Sequence, residues 1–186
     1  MSLEAPYPVY IASHVIGGFG RGSSELGIPT ANIPSEDLLA SAIPHGKTGI
    51  YFGFCKISGT YGTLTRRDTP ADDGETKRPP ENEITSLEAP IGEEDGGVLP
   101  MVMSLGWNPF YGNSEPSAEV HVVHKFSQQF YGARIKLAVL GYIRPESNFV
   151  SVEALIDEIM HDIQVAKDKL AQPEIKKVAE EEFWKD

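Results

Sequence analysis

The chain is predicted to be mainly β, an antiparallel barrel or sandwich followed by a C-terminal helix. Three observations carry this expectation. Five apolar segments rich in β-branched and aromatic residues are separated by clusters of Gly, Pro and Asn. No helical period intervenes between them, so antiparallel rather than crossover connections are expected. A helical period begins only after Ser151.

The elements read in order as follows. Val9–Ile16 is apolar and β-branched and forms the first strand. Gly49–Ile57 (GIYFGFCKI) is apolar on both alternations, the pattern of a strand buried on both faces. Val98–Trp107, Ala118–Phe126 and Ala133–Arg144 complete the set. The stretch Arg66–Gly97 differs from all of them. It holds ten acids, four bases and four prolines, with no helical or strand period, and reads as a solvated loop inserted into one domain spanning residues 1–186. Loop closure entropy grows only with the logarithm of length, so a single domain tolerates it. A partner-binding acidic segment is the alternative reading. After Ser151, a natural N-cap, Val152, Leu155, Ile156, Ile159, Ile163, Ala166 and Leu170 recur on one helical face. Pro173 stops this helix and a shorter one over Glu174–Phe183 is expected, so helices cover about 151–183 and flank or plug the β body.

Composition narrows the function. With 186 residues, 40% hydrophobic and 23% charged, the chain suits one soluble domain. A net charge of −11 argues against a nucleic-acid binder, which needs a basic face. No apolar run approaches the roughly 20 residues of a membrane span. The N-terminus lacks a basic region and a sustained apolar run, so no signal peptide is expected. Cys55 is the single cysteine and excludes an internal disulfide or a Cys-rich zinc site. It reads as a small buried hydrophobe, and a reducing cytoplasmic location is expected.

Two segments carry chemistry. Gly17-Gly18-Phe19-Gly20-Arg21-Gly22-Ser23-Ser24 lets successive backbone N–H groups converge, a concavity that takes phosphate. A glycine-rich hairpin loop without a ligand fits the same residues. It is neither a Walker A loop nor a dinucleotide fingerprint: the glycine needed five positions before Gly46-Lys47-Thr48 is Ser41, and no GxGxxG occurs. Then comes Pro29-Thr30-Ala31-Asn32-Ile33-Pro34, held extended by its prolines. Positions i and i+2 of an extended chain face the same way, so the oxygens of Thr30 and Asn32 share a side. Hard, neutral oxygens suit Mg²⁺ arriving with a polyphosphate; satisfying loop backbone groups is the other use for them. His121 and His124 lie three apart on an expected strand and point to opposite faces, which rejects a shared metal site.

GGFGRGSSELGIPTAN resembles the signature of riboflavin kinases. The resemblance continues through GIYFG (Gly49–Gly53), SLGWNPFYGN (Ser104–Asn113), AEVHVVHKF (Ala118–Phe126), FYGARIKLAVLGYIRPESNF (Phe130–Phe149) and the long helix. It implies a closed antiparallel Greek-key barrel of about six strands with the helix packed on it. It also implies transfer of the γ-phosphoryl of ATP to the 5′-hydroxyl of riboflavin, giving FMN and ADP. The cofactor implied is Mg²⁺, with Zn²⁺ as the alternative. The site residues it implies are Gly18, Gly20, Arg21, Gly22 and Ser24 in the phosphate cradle, Thr30 and Asn32 for metal and nucleotide, Glu119 as base, and Arg144, Ser147 and Phe149 towards the flavin. Ser24 stands where a lysine would add charge to the cradle. No HxGH-type adenylyltransferase motif is present, so FMN rather than FAD is the expected product. A monomer without nucleic-acid partner or membrane insertion is expected. A flavin-storage barrel is the rival reading, and the joint presence of Thr30, Asn32 and Glu119 argues against it.

Overall fold

A computed structural model describes residues 3–16, 30–39, 47–66, 82–92, 94–107, 116–126 and 129–185. Its strands are β1 (Val9–His14), β2 (Thr30–Ile33), β3 (Gly49–Ser58), β4 (Thr60–Arg66), β5 (Asn82–Pro90), β6 (Leu99–Trp107), β7 (Pro116–Val122) and β8 (Arg134–Arg144). Helices α1 (Ser35–Leu39), α2 (Val152–Leu170) and α3 (Pro173–Lys176) are followed by two 3₁₀ turns, Lys177–Glu180 and Glu182–Trp184. Six strands form one antiparallel sheet in the order β1-β8-β3-β6-β7-β2. β3, β6 and β7 are successive neighbours and β8 returns to lie beside β3, the crossing of a Greek key. The expected closed barrel is a curled half-barrel. Among the described residues its two edges meet at one backbone bridge, Ile16 with Asn32, rather than along a ladder.

β3 explains the placement of everything else. Tyr51, Cys55 and Ile57 point into the barrel with Met101, Val120 and Leu137. Ile50, Phe52 and Phe54 point outward, where Ile163, Ala166 and Leu170 of α2 cover them. A strand covered on both faces has no polar alternation. Its crowding shows at Gly53, where an added Cβ would fall inside contact distance of the Ala138 carbonyl oxygen. Helix α2 starts where Ser151 accepts from the Ala154 N–H at 3.1 Å. Because it packs on the outward residues of β3, it flanks the barrel instead of plugging it.

Two further expectations are corrected. The stretch Arg66–Gly97 is not all loop: β5 runs through it and pairs antiparallel with β4 as a separate two-stranded sheet. Acids, a terminal proline and register shifts at Tyr61/Gly62 and Gly62/Leu64 obscure the alternation that would announce a strand. The second C-terminal helix is short, breaking into 3₁₀ turns after Lys176. Strand lysines take the carbonyls of this segment: Lys56 Nζ donates to Trp184 O at 2.8 Å, and Lys136 Nζ to Phe183 O at 3.0 Å. Trp184 is 4% exposed and its Nε1 donates to Val178 O. Trp184→Ala is expected to cost about 3 kcal/mol and to lower the thermal midpoint by roughly 10 °C in a calorimetric scan.

Candidate active site

The site grows from the register of β2 on β7. Ala31 and Ile33 are buried in the barrel, so Thr30 and Asn32 face outward on the same strand. On β7 the interior positions are Ala118, Val120 and Val122, which leaves Glu119 and His121 outward. Asn32 lies directly opposite Glu119, and Thr30 opposite His121. Facing residues of an antiparallel pair bring their Cβ atoms to about 5 Å. The bridge from Ile16 to Asn32 joins this corner to the chain that leads into the glycine-rich segment. Gly18, Gly20, Arg21, Gly22 and Ser24 themselves lie outside the described residues.

The row continues across the outer face. Glu119 faces Ser104 on β6, Ser104 faces Ile50 on β3, and Ile50 faces Arg144 on β8. Strand spacing puts Arg144 about 14 Å from Glu119 along the curved sheet. β8 has bulges against β3 between Ile50/Tyr51 and Phe52/Gly53. These turn Tyr142 against Tyr51, with ring centroids 5.2 Å apart, and return Arg144 to the outer side. Bulges of this kind re-aim side chains next to sites. α2 covers the middle of the face through Phe52 and Val102.

Glu119 is solvent-exposed as a residue, yet desolvation raises its carboxyl above the ordinary value of 4.5. The raised pKa suits a group that must accept a proton near neutral pH. His121 shares this face. His124 does not extend the strand, which ends at Val122; its Nε2 lies 2.8 Å from the Asp95 carboxylate.

The oxygens of Thr30 and Asn32 form a hard, neutral donor pair, which fits Mg²⁺ held jointly with phosphate oxygens, and Glu119 stands beside them on the next strand. Among the described residues, one cluster of acids and histidine has ligand atoms within 4.8 Å: Glu158, His161 and Asp162 on α2. Asp162 is already engaged by Arg144, so this group is an ion-pair network.

At the far end, Arg144, Ser147 and Phe149 lie close together. Arg144 Nη1 donates to Ser147 Oγ at 3.4 Å and to Pro145 O at 3.0 Å, and its guanidinium carbon lies 6.0 Å from the Phe149 ring centroid. The guanidinium also grips Asp162 at 2.7 and 2.9 Å. Asp162 and Ser104 were not singled out from sequence. A signal existed for Asp162, an acid three residues after Ile159 and one before Ile163 on the apolar helical face. Ser104 had none, since only pairing places it beside Glu119.

Residues 5–170 match the Flavokinase family, described as riboflavin kinase. The chain belongs to the riboflavin kinase family. It is 44% identical to the riboflavin kinase of Yarrowia lipolytica, over 99% of this chain and 91% of that one. It is 45% identical to the riboflavin kinase of Kluyveromyces lactis, over 95% and 92%. The crystal structure of riboflavin kinase from Trypanosoma brucei superposes with a TM-score of 0.66 at 22% identity, covering 98% of this chain and 92% of that one; this likeness concerns the fold. As a member of the riboflavin kinase family the chain is a transferase of the kinase type. Among the described residues, no helix is long and apolar enough to cross a membrane.

Proposed function

We propose that the chain transfers the γ-phosphoryl group of ATP to the 5′-hydroxyl of riboflavin, giving FMN and ADP. One observation supports this most: Asn32, Glu119 and Arg144 stand in a single cross-strand row on one face. Such a row suits a substrate with its reacting hydroxyl at one end and a ring at the other. Thr30 and Asn32 hold the metal–nucleotide, and the backbone of Gly18, Gly20 and Gly22, with Arg21 and Ser24, cradles its phosphates. Mg²⁺, when bound, neutralises charge on the transferring phosphoryl group; the oxygen donors favour it over Zn²⁺. Glu119 accepts the proton of the attacking hydroxyl. Arg144, Ser147 and Phe149 hold the flavin end.

The direct test is ATP-dependent formation of FMN from riboflavin, followed by chromatography. No FMN under saturating ATP and Mg²⁺ would reject the reading. Asn32→Ala removes one of two neutral metal ligands. It is expected to raise the Mg²⁺ concentration for half-maximal rate about tenfold, the worth of a hydrogen bond or ligand of modest strength. An unchanged Mg²⁺ dependence would remove Asn32 from the metal site.

A further inference from the structure

Helix α2 carries a buried charge where an apolar side chain would serve packing better. Asp162 is 2% exposed and sits among Ile163, Ala166 and the outer face of the sheet. Desolvating a carboxylate is costly, and buried ion pairs replaced by apolar groups are often as stable or more so. Stability alone therefore does not account for Asp162.

Its partner does. A guanidinium has five N–H donors in a rigid plane. Nε of Arg144 lies 2.9 Å from Asp162 Oδ1 and 3.0 Å from Glu158 Oε1. Nη2 donates to Asp162 Oδ2 at 2.7 Å. Nη1 faces Pro145 O and Ser147 Oγ. One Nη2 proton is left without an acceptor among the described residues. A two-point pair fixes the plane of the guanidinium. Glu158 reaches only Nε and its side chain is 36% exposed, so Asp162 is the principal anchor.

We propose that Asp162 is a positioning residue for the phosphotransferase: it sets the plane of Arg144 so that the remaining donor meets an acceptor on the flavin. The inference rests on the reading of Arg144, Ser147 and Phe149 as the flavin-holding loop. It assigns to a helix residue, remote from Glu119, control over flavin affinity without control over the phosphoryl step.

Steady-state rates with riboflavin and ATP varied separately test it on Asp162→Asn, Arg144→Gln and the double variant. Asp162→Asn is expected to raise the riboflavin KM about tenfold, the worth of one charged hydrogen bond, with the ATP KM unchanged and kcat little altered. The double variant should be no worse than Arg144→Gln alone, because one residue acts through the other. Leaving a partly buried guanidinium without its anchor can destabilise a protein, so Asp162→Glu is measured alongside. It keeps the charge, moves the carboxylate by one methylene, and should raise the riboflavin KM while the thermal midpoint holds. If Arg144→Gln raises that KM and neither Asp162 variant does, or if the effects add in the double variant, the positioning role fails alone. If Arg144→Gln leaves the riboflavin KM unchanged, the flavin reading of the loop fails and the role of Asp162 falls with it.

Discussion

Glu119→Gln is expected to lower kcat about a thousandfold, within the range that a positioned general base contributes, while riboflavin and nucleotide still bind. The substitution keeps the shape and removes the proton acceptor. The wild-type rate should rise with pH through the Glu119 pKa, which desolvation places above 4.5, and this acidic limb should vanish in the variant. Stability moves the other way. A carboxyl with a raised folded-state pKa binds more protons folded than unfolded between the two pKa values. Stability therefore falls as pH rises through that interval, and it stays lowered above it. Glu119→Gln should accordingly be at least as stable as the wild type at neutral pH, measured by thermal unfolding across pH. Full activity in the variant would remove Glu119 from the base role.

Gly53→Ala is expected to be the most damaging change to the fold. The added Cβ would collide with the Ala138 carbonyl oxygen on β8, and the Met101 side chain lies 2.9 Å from the same point. A backbone oxygen in a central sheet cannot move aside as a flexible side chain can. The loss is expected to reach about 4 kcal/mol, the scale of overpacking in a core. A drop of roughly 10 °C or more in the thermal midpoint would record it. An unchanged midpoint would mean that β3 and β8 separate more easily than their register indicates. The contrast with Gly106 is instructive. There the nearest atoms belong to the Glu146 carboxylate, the far end of a flexible side chain, and a substitution is better tolerated.

Much of the site was legible as local pattern. The prolines around Thr30-Ala31-Asn32 announced an extended segment, and β2 is that segment with Ala31 and Ile33 inward. The doubly apolar β3 announced cover on both faces, and the barrel interior and α2 supply it. The acidic insert hid β5 because, among the described residues, Asn82–Pro90 pairs with β4 alone. A two-stranded sheet need not bury a face that would mark the sequence. The second C-terminal helix is shorter than its sequence predicts, because charged residues with good helix propensity say nothing of the strand lysines that claim its carbonyls.

The sequence by itself determined the class of the fold, the extent of its long helix, the common side of Thr30 and Asn32, and the family motifs in their order. Periodicity and proline geometry act over a few residues, so one chain segment suffices to read them. Tertiary structure decided that Asn32 meets Glu119, that Ser104 and Ile50 connect them to Arg144, and that Asp162 holds Arg144 from the helix. These are register facts between strands and a helix far apart in the chain. A slip of one residue in pairing would send each of those side chains to the opposite face. What forbids the slip is the burial of Ala31, Val120, Met103 and Tyr51 on the inner side, and so the apolar core sets where the polar row stands.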